Sequence, residues 1–232
     1  MSRSDFYAEA YFNQEPKFLC VLVVDVTPHM AGKLIHDLNC GLQSFHKEIT
    51  EDPVLSERLE LSIITFSDVV TITQQPSLVE NFVMPKLMVQ NGLPVLSDAL
   101  TVAFNVVADR KTWYKQTNQP YYRPWVILLT DGVCSESPKA GLLLDKLRHD
   151  KEQKKYHLFP IGVGEYIEEE FLGQIDGTTP LLKIGDGKIP FFFEWLANSI
   201  RRCICDGIDC TKNALERTVN ISSGVETWIE EI

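Results

Sequence analysis

The chain has 232 residues, of which 44% are hydrophobic and 23% are charged, as in an ordinary globular protein. Its 32 acidic and 22 basic residues give a formal net charge of −10 at pH 7, which disfavours binding to nucleic acid or to an anionic membrane surface. No apolar run approaches the roughly 20 residues of a membrane-spanning helix. The start of the chain also lacks the basic and apolar blocks of a secretory signal.

The first half of the chain alternates between strand and helix patterns. The apolar run Phe18 to Val24 is typical of a strand buried on both faces. Five apolar residues then recur at helical spacing and predict an amphipathic helix that ends before Pro53; they are Leu34, Leu38, Leu42, Phe45 and Ile49. Two strands follow over 59–66 and 69–73. A helix is predicted over 95–108, and the polar stretch 111–119 is predicted to be an exposed loop.

The second half continues the alternation. A second fully apolar strand over 125–130 ends at Asp131 and Gly132. The elements predicted after it are a helix (137–152), a strand (156–163), a short helix (167–174), a strand (181–184) and a helix (190–202). This order predicts a Rossmann-like three-layer α/β/α sandwich with a mostly parallel sheet and one antiparallel edge strand.

Three segments are predicted. They are an N-terminal extension (1–16), one α/β domain (17–202) and a C-terminal tail (203–232) that is either a docking tail or a folded extension. The six cysteines form no recognisable disulfide framework, which predicts a reduced, cytoplasmic protein. Cys203, Cys205 and Cys210 lie close together in the tail, but a structural zinc site usually needs one more ligand. We interpret them as a thiol cluster, with a zinc site completed by another chain as the alternative.

Two aspartates mark the candidate site. Asp25 and Asp131 each follow a buried apolar strand, and the carboxyl ends of neighbouring parallel strands open into one crevice. An aspartate after a strand is often just the N-cap of the next helix, and this is the alternative for either residue alone. Two converging carboxylates raise each other's pKa, so a cation, a basic side chain or a hydrogen-bond network is expected between them. With Thr27 nearby, Mg²⁺ is the natural cation.

These residues lie in motifs that resemble the von Willebrand factor A domain family. The three motifs occur in the family's order at Asp25–Met30, Asn91–Pro94 and Leu128–Gly132. Four further segments resemble a stand-alone bacterial branch associated with tellurium resistance and stress responses; they are Asn39–Leu42, Ile64–Phe66, Arg123–Pro124 and Ile161–Gly164. The resemblance spans about residues 17 to 202 and implies the family's fold.

The resemblance also implies a metal-ion-dependent adhesion site, in which a divalent cation accepts a carboxylate from a partner. Asp25, Thr27 and Asp131 match ligand positions of that motif, whereas His29 and Leu93 stand where the family has hydroxyl side chains. We therefore expect a degenerate site that binds Mg²⁺ weakly or not at all. The residues expected to contact a partner surround this position; they are Pro28, His29, Met30, Gly92, Leu93, Pro94, Gly132 and Val133.

The leading functional hypothesis is a non-enzymatic protein-interaction module of a bacterial stress-response or phosphorylation system, with a kinase or phosphatase as partner. The chain lacks a phosphate-binding P-loop, a dinucleotide fingerprint, a nucleophile elbow and a zinc-protease motif. The alternative is a Mg²⁺-dependent phosphatase or phosphotransferase that uses Asp25. A third hypothesis is a structural subunit that binds partners through Trp228 and Ile229.

Overall fold

The computed structural model describes residues 13–131, 140–164, 167, 175, 182–185, 187–205 and 229–231. Seven strands are present in this part of the chain: β1 (Phe18–Asp25), β2 (Leu59–Phe66), β3 (Val70–Leu78), β4 (Trp125–Thr130), β5 (His157–Val163), β6 (Leu182–Ile184) and β7 (Ile229–Glu231). The α-helices of the same part are α1 (Lys33–Glu51), α2 (Leu55–Arg58), α3 (Leu96–Gln116), α4 (Ala140–Glu152) and α5 (Ile189–Cys205). Short 3₁₀ turns lie at Pro28–Met30 and Val79–Asn81.

The strands form one sheet in the order β3-β2-β1-β4-β5-β6-β7. Strand β1 pairs in parallel with both β2 and β4, and β5 and β6 continue the parallel sheet. Strand β3 is the predicted antiparallel edge strand. The predicted fold class is therefore confirmed, with one addition. Residues of the predicted tail contribute β7, which pairs antiparallel with β6 at the other edge.

Side chains of β1 alternate between two cores. Cys20, Leu22 and Val24 pack in a core with α1 and α5 on one face of the sheet. Leu19, Val21 and Val23 pack on the other face with residues of α3 and α4. Because helices cover both faces, every residue of β1 is buried, and this explains why the strand is a continuous apolar run.

Helix α3 is longer than predicted, and the exposed loop predicted over 111–119 is wrong for its first part. The helix continues to Gln116. Tyr114 is fully buried, and its hydroxyl donates a hydrogen bond to Glu60 Oε2 at 2.6 Å. Arg110 forms two hydrogen bonds to the same carboxylate, from Nε at 2.7 Å and from Nη2 at 2.6 Å. These long-range contacts fix the last turns of α3 against β2.

The remaining differences are smaller. Strand β3 continues to Leu78, beyond the predicted end at 73, and α5 extends to Cys205. The helix predicted over 167–174 lies outside the described residues except for Ile167. Cys203 is disulfide-bonded, whereas Cys20, Cys40 and Cys205 have free thiols. This differs from the fully reduced cysteines predicted from the sequence. Over the described ranges, none of the helices is both long and apolar enough to span a membrane.

Candidate functional site

The candidate site lies at the carboxyl end of the sheet, where β1 and β4 are neighbours. Asp25 is the last residue of β1, and Asp131 directly follows β4. The chain leaves β1 through Val26 and Thr27 and turns at Pro28–Met30 before α1 begins. We call the space at these strand ends the crevice. The structure thus brings together the two aspartates that the sequence singled out.

Asp25 forms the floor of the crevice. Its carboxylate is fully buried, with Oδ1 accepting a hydrogen bond from Thr27 N at 2.8 Å and Oδ2 accepting one from Thr130 Oγ1 at 2.8 Å. Burial raises the pKa of Asp25 above its ordinary value. The hydrogen bonds from Thr27 and Thr130 oppose this change, and the charge of Asp131 adds to it. Both carboxylate oxygens are therefore already engaged within the protein.

Asp131 lies nearer the surface and is paired with His29. The distance from His29 Nδ1 to Asp131 Oδ2 is 2.8 Å. The imidazole side chain is 61% exposed, whereas the carboxylate is 8% exposed. A basic side chain is thus held against one of the two converging carboxylates, which is one of the arrangements expected from the sequence. The pair lies at the mouth of the crevice, with the imidazole towards solvent.

The end of β2 and the segment that leads to Leu93 complete the edge of the crevice, which we call the rim. The backbone N–H of Val26 donates to Phe66 O at 2.9 Å, and that of Gln90 donates to Val26 O at 2.7 Å. Gly92 has a positive φ of 128° and lies so close to Asp68 that a Cβ would come within 2.5 Å of its carboxyl carbon. Leu93 follows with 69% of its surface exposed. Sequence reasoning missed Asp68, although it comes just after a buried strand, as Asp25 and Asp131 do.

The segment 82–91 that leads to Leu93 is held along α1 by side chains from successive helical turns. Asn39 Oδ1 accepts a hydrogen bond from Leu87 N at 2.8 Å, and its Nδ2 donates to Leu87 O at 3.0 Å. Gln43 Nε2 donates to Met84 O at 3.3 Å, and His46 Nε2 lies 3.0 Å from Phe82 O. Helix α1 therefore fixes the path of the chain towards the rim.

The side chains present do not match a Mg²⁺ site well. Mg²⁺ needs a shell of oxygen ligands in near-octahedral geometry. Asp25 has both oxygens hydrogen-bonded inside the protein, Asp131 is paired with an imidazole nitrogen, and Leu93 offers no ligand atom. Among the residues that the structure describes, no group of three or more His, Cys, Asp or Glu side chains is arranged to hold a metal ion. The donor set fits a hydrogen-bonded carboxylate network better than a magnesium shell.

The predicted partner-contact residues differ in their exposure to solvent. Pro28, His29 and Leu93 are exposed. Met30 and Pro94 are buried. Their side chains are therefore not on the accessible rim, where the sequence predicted them. Met30 turns inward at the end of the 3₁₀ turn and packs in the core beneath α1. Gly132 and Val133 lie outside the described residues.

No protein-family model matches the chain, and no curated protein matches it. Solved structures do resemble it. The vWF domain of the type V pili tip protein Mfa5 from Porphyromonas gingivalis superposes with a TM-score of 0.58 at 9% identity, covering 82% of this chain and 97% of that chain. A von Willebrand factor type A protein from Catenulispora acidiphila superposes with a TM-score of 0.56 at 13% identity, covering 79% of this chain and 42% of that chain.

A third similar structure is the manganese-loaded TRAP protein of Plasmodium vivax. It has a TM-score of 0.50 and 22% identity, and the match covers 72% of this chain and 65% of that chain. The chain thus spans less than two thirds of the length of the Plasmodium and Catenulispora proteins. At these identities the likeness is one of architecture. Together with the sheet order and the flanking helices, it shows that this chain has the fold of von Willebrand factor A domains.

Proposed function

We propose that this chain is a non-enzymatic protein-interaction module that binds a protein partner at the crevice. The observation that carries the proposal is the His29–Asp131 pair at the crevice mouth, because it presents an exposed imidazole above a nearly buried carboxylate. Leu93 adds an exposed apolar side chain on the rim loop. An apolar contact beside a charged, hydrogen-bonding group is the usual composition of a protein-binding patch.

We also propose that binding at this crevice does not require a metal ion. In the adhesion site implied by the sequence resemblance, hydroxyl side chains contact the cation directly. Here His29 and Leu93 stand at two of those positions. The imidazole of His29 contacts Asp131 Oδ2 through Nδ1 at 2.8 Å, so a side chain of the protein occupies a place beside this carboxylate that a cation would otherwise take.

The identity of the partner rests on the sequence resemblance. The bacterial branch that the sequence resembles is associated with tellurium resistance and stress responses, and the resemblance implies partners from a stress or phosphorylation system. We therefore propose a kinase or phosphatase of such a system as the first partner to test. The proposal predicts a complex that forms through the rim and is unaffected by chelation of divalent cations.

The test uses the full chain as bait in a partner-capture experiment, followed by affinity measurement on each captured protein. Leu93→Ser and Asp131→Asn should each weaken binding by at least about tenfold, as expected for a contact in the centre of an interface. The matched control is Val83→Ser, since Val83 is 89% exposed but lies in the segment beside α1. Partners bound equally by all four proteins would place the binding surface elsewhere and overturn the proposal.

A further inference from the structure

A cluster of basic residues lies at the edge of the sheet opposite the crevice. Helix α3 ends there, and β4 and β5 begin there. We define the cationic face as Lys111, Lys115, Arg123, Lys155 and His157. The chain as a whole has a net charge of −10, so this local excess of positive charge is not a consequence of composition.

Two contacts link residues of the cationic face in pairs. Lys111 Nζ donates a hydrogen bond to the backbone carbonyl of Lys155 at 3.0 Å and lies 5.9 Å from the centroid of the Tyr121 ring. Arg123 Nη1 lies 3.3 Å from His157 Nε2. Burial lowers the pKa of Lys111, and the charges of Lys115, Lys155 and Arg123 lower it further. The fold thus holds several cations close together in spite of their repulsion.

Asp150 pairs with one residue of the cationic face, Lys155, and its charge also opposes the lowering of the pKa of Lys111. Asp150 is buried, and its carboxylate accepts from Lys155 Nζ at 2.6 Å, from Tyr156 Oη at 2.9 Å and from Lys146 Nζ at 3.2 Å. Within the described ranges, the charges of Lys111, Lys115 and Arg123 are not paired with a carboxylate by a salt bridge.

A helix dipole accounts for only part of this arrangement. Lys115 lies in the last turn of α3, where the negative end of the dipole favours a cation. Arg123 lies in the loop before β4, and His157 is the first residue of β5. Neither position benefits from a helix C-terminus. The dipole therefore does not account for the position of Arg123, whose charge acts on Lys111.

We propose that the cationic face binds a phosphate group. A phosphate monoester carries close to two negative charges and several strong acceptor oxygens. The guanidinium of Arg123 and the ammonium groups of Lys111 and Lys115 are complementary donors. A single phosphate fits better than a long polyanion, because the strongly negative charge of the rest of the chain repels an extended nucleic acid.

The test is an NMR titration of the full-length, isotopically labelled protein with inorganic phosphate, against chloride at the same ionic strength. Saturable shifts should appear at the backbone amides of Lys111, Arg123 and His157. Lys111→Gln and Arg123→Gln should each weaken binding by about tenfold, as expected when one hydrogen bond to a charged group is lost. Lys86→Gln is the matched control, because Lys86 is an exposed lysine outside this face.

A second arm distinguishes the source of the phosphate. A phosphoserine peptide that binds more tightly than inorganic phosphate, while its unphosphorylated form does not bind, assigns the face to a phosphorylated protein partner. Equal or weaker peptide binding assigns it to a small phosphate-bearing molecule. If Lys111→Gln fails to fold, Lys115→Gln and Arg123→Lys replace it. The proposal fails if phosphate gives no saturable shift, or if the variants bind as tightly as the wild-type protein.

Discussion

At the scale of single residues, two aspartates show how environment sets the cost of a buried charge. Burial raises the pKa of Asp25, and the hydrogen bonds from Thr27 and Thr130 do not offset it. Burial acts in the same direction on Asp52, but there the backbone N–H groups of Leu55 and Val54 and the guanidinium of Arg201 outweigh it and lower the pKa. Asp52 therefore stabilises the fold as an anion, whereas ionisation of Asp25 costs stability in the folded protein. Such a cost is typical of a functional position.

This contrast gives opposite pH dependences for two matched substitutions. The neutral form of Asp25 is favoured in the folded protein, so its contribution to stability is present below the unfolded pKa, near 3.8, and is lost as pH rises through the folded pKa. Asp25→Asn should therefore become more stable relative to wild type as pH rises from 3 to 7. Urea unfolding over a pH series measures this difference. A constant difference across the series would contradict it.

Asp52→Asn is the control with the opposite sign. Its folded pKa is lowered from 3.8, so the stability it contributes is present above that value and is lost as pH falls through the folded pKa. The variant should be less stable than wild type at pH 7, and the deficit should shrink towards pH 3. Parallel pH profiles for the two variants would mean that the assigned environments are wrong.

Breaking the buried ion pair between β2 and α3 should strongly lower the free energy of unfolding, even when the substitution itself is small. Glu60→Gln removes the negative charge that Glu60 places beside the guanidinium of Arg110, which is 5% exposed. The free energy of unfolding should fall by about 3–5 kcal/mol, as is usual when one member of a buried pair is removed. Glu57→Gln, at an exposed position three residues earlier, should change it by less than about 0.5 kcal/mol. Chemical denaturation of both variants tests this, and equal effects would contradict it.

At the scale of elements, the sequence correctly predicted the helices and strands that a local apolar pattern defines. The five apolar residues spaced through 34–49 all belong to α1, and the continuous apolar runs became the central strands β1 and β4. The end of α3 could not be found in the same way. Residues 111–116 are mostly polar, and they are helical because Tyr114 and Arg110 reach a carboxylate some 50 residues away in sequence. A window of local sequence does not contain that contact.

The contact between α1 and α5 depends on a residue without a side chain. A Cβ on Gly41 would overlap the ring of Phe193, which is fully buried and packed against Phe45 and Phe192. Gly41→Ala should therefore destabilise the protein by about 1–3 kcal/mol, as overpacking does, despite the better helix propensity of alanine. Gly141→Ala in α4 meets no atom within 4 Å and should leave stability unchanged or raise it by up to about 1 kcal/mol. Thermal unfolding of the pair decides this, and equal stabilities would refute the packing argument.

At the scale of the whole molecule, the site was predictable only in part. The rule that parallel strands open their carboxyl ends into one crevice located Asp25 and Asp131 without any knowledge of contacts. The pairing of His29 with Asp131 joins residues 102 positions apart, and the sequence predicted a basic side chain only as one of three kinds of group between the two carboxylates. Asp68 was missed and Met30 was misplaced, because which side chains line a crevice depends on how the loops pack against one another.

The proposal that the crevice acts without a metal leads to a measurement on the whole protein. A site filled to 100 times its dissociation constant would stabilise the fold by about 2.7 kcal/mol, which for a domain of this size raises the melting temperature by roughly 5–10 °C. After chelator treatment, adding Mg²⁺ or Mn²⁺ should instead shift it by less than about 1 °C, since the oxygens of Asp25 are hydrogen-bonded internally and Asp131 is held by His29. His29→Ser places a hydroxyl at this position and removes the imidazole that competes with a cation for Asp131. Adding Mg²⁺ or Mn²⁺ should therefore raise the melting temperature of this variant by more than that of the wild-type protein. A shift of 5 °C or more in the wild-type protein, abolished by Asp131→Ala, would show that the crevice binds a cation after all and that a metal-bridged carboxylate of the partner is the contact to seek.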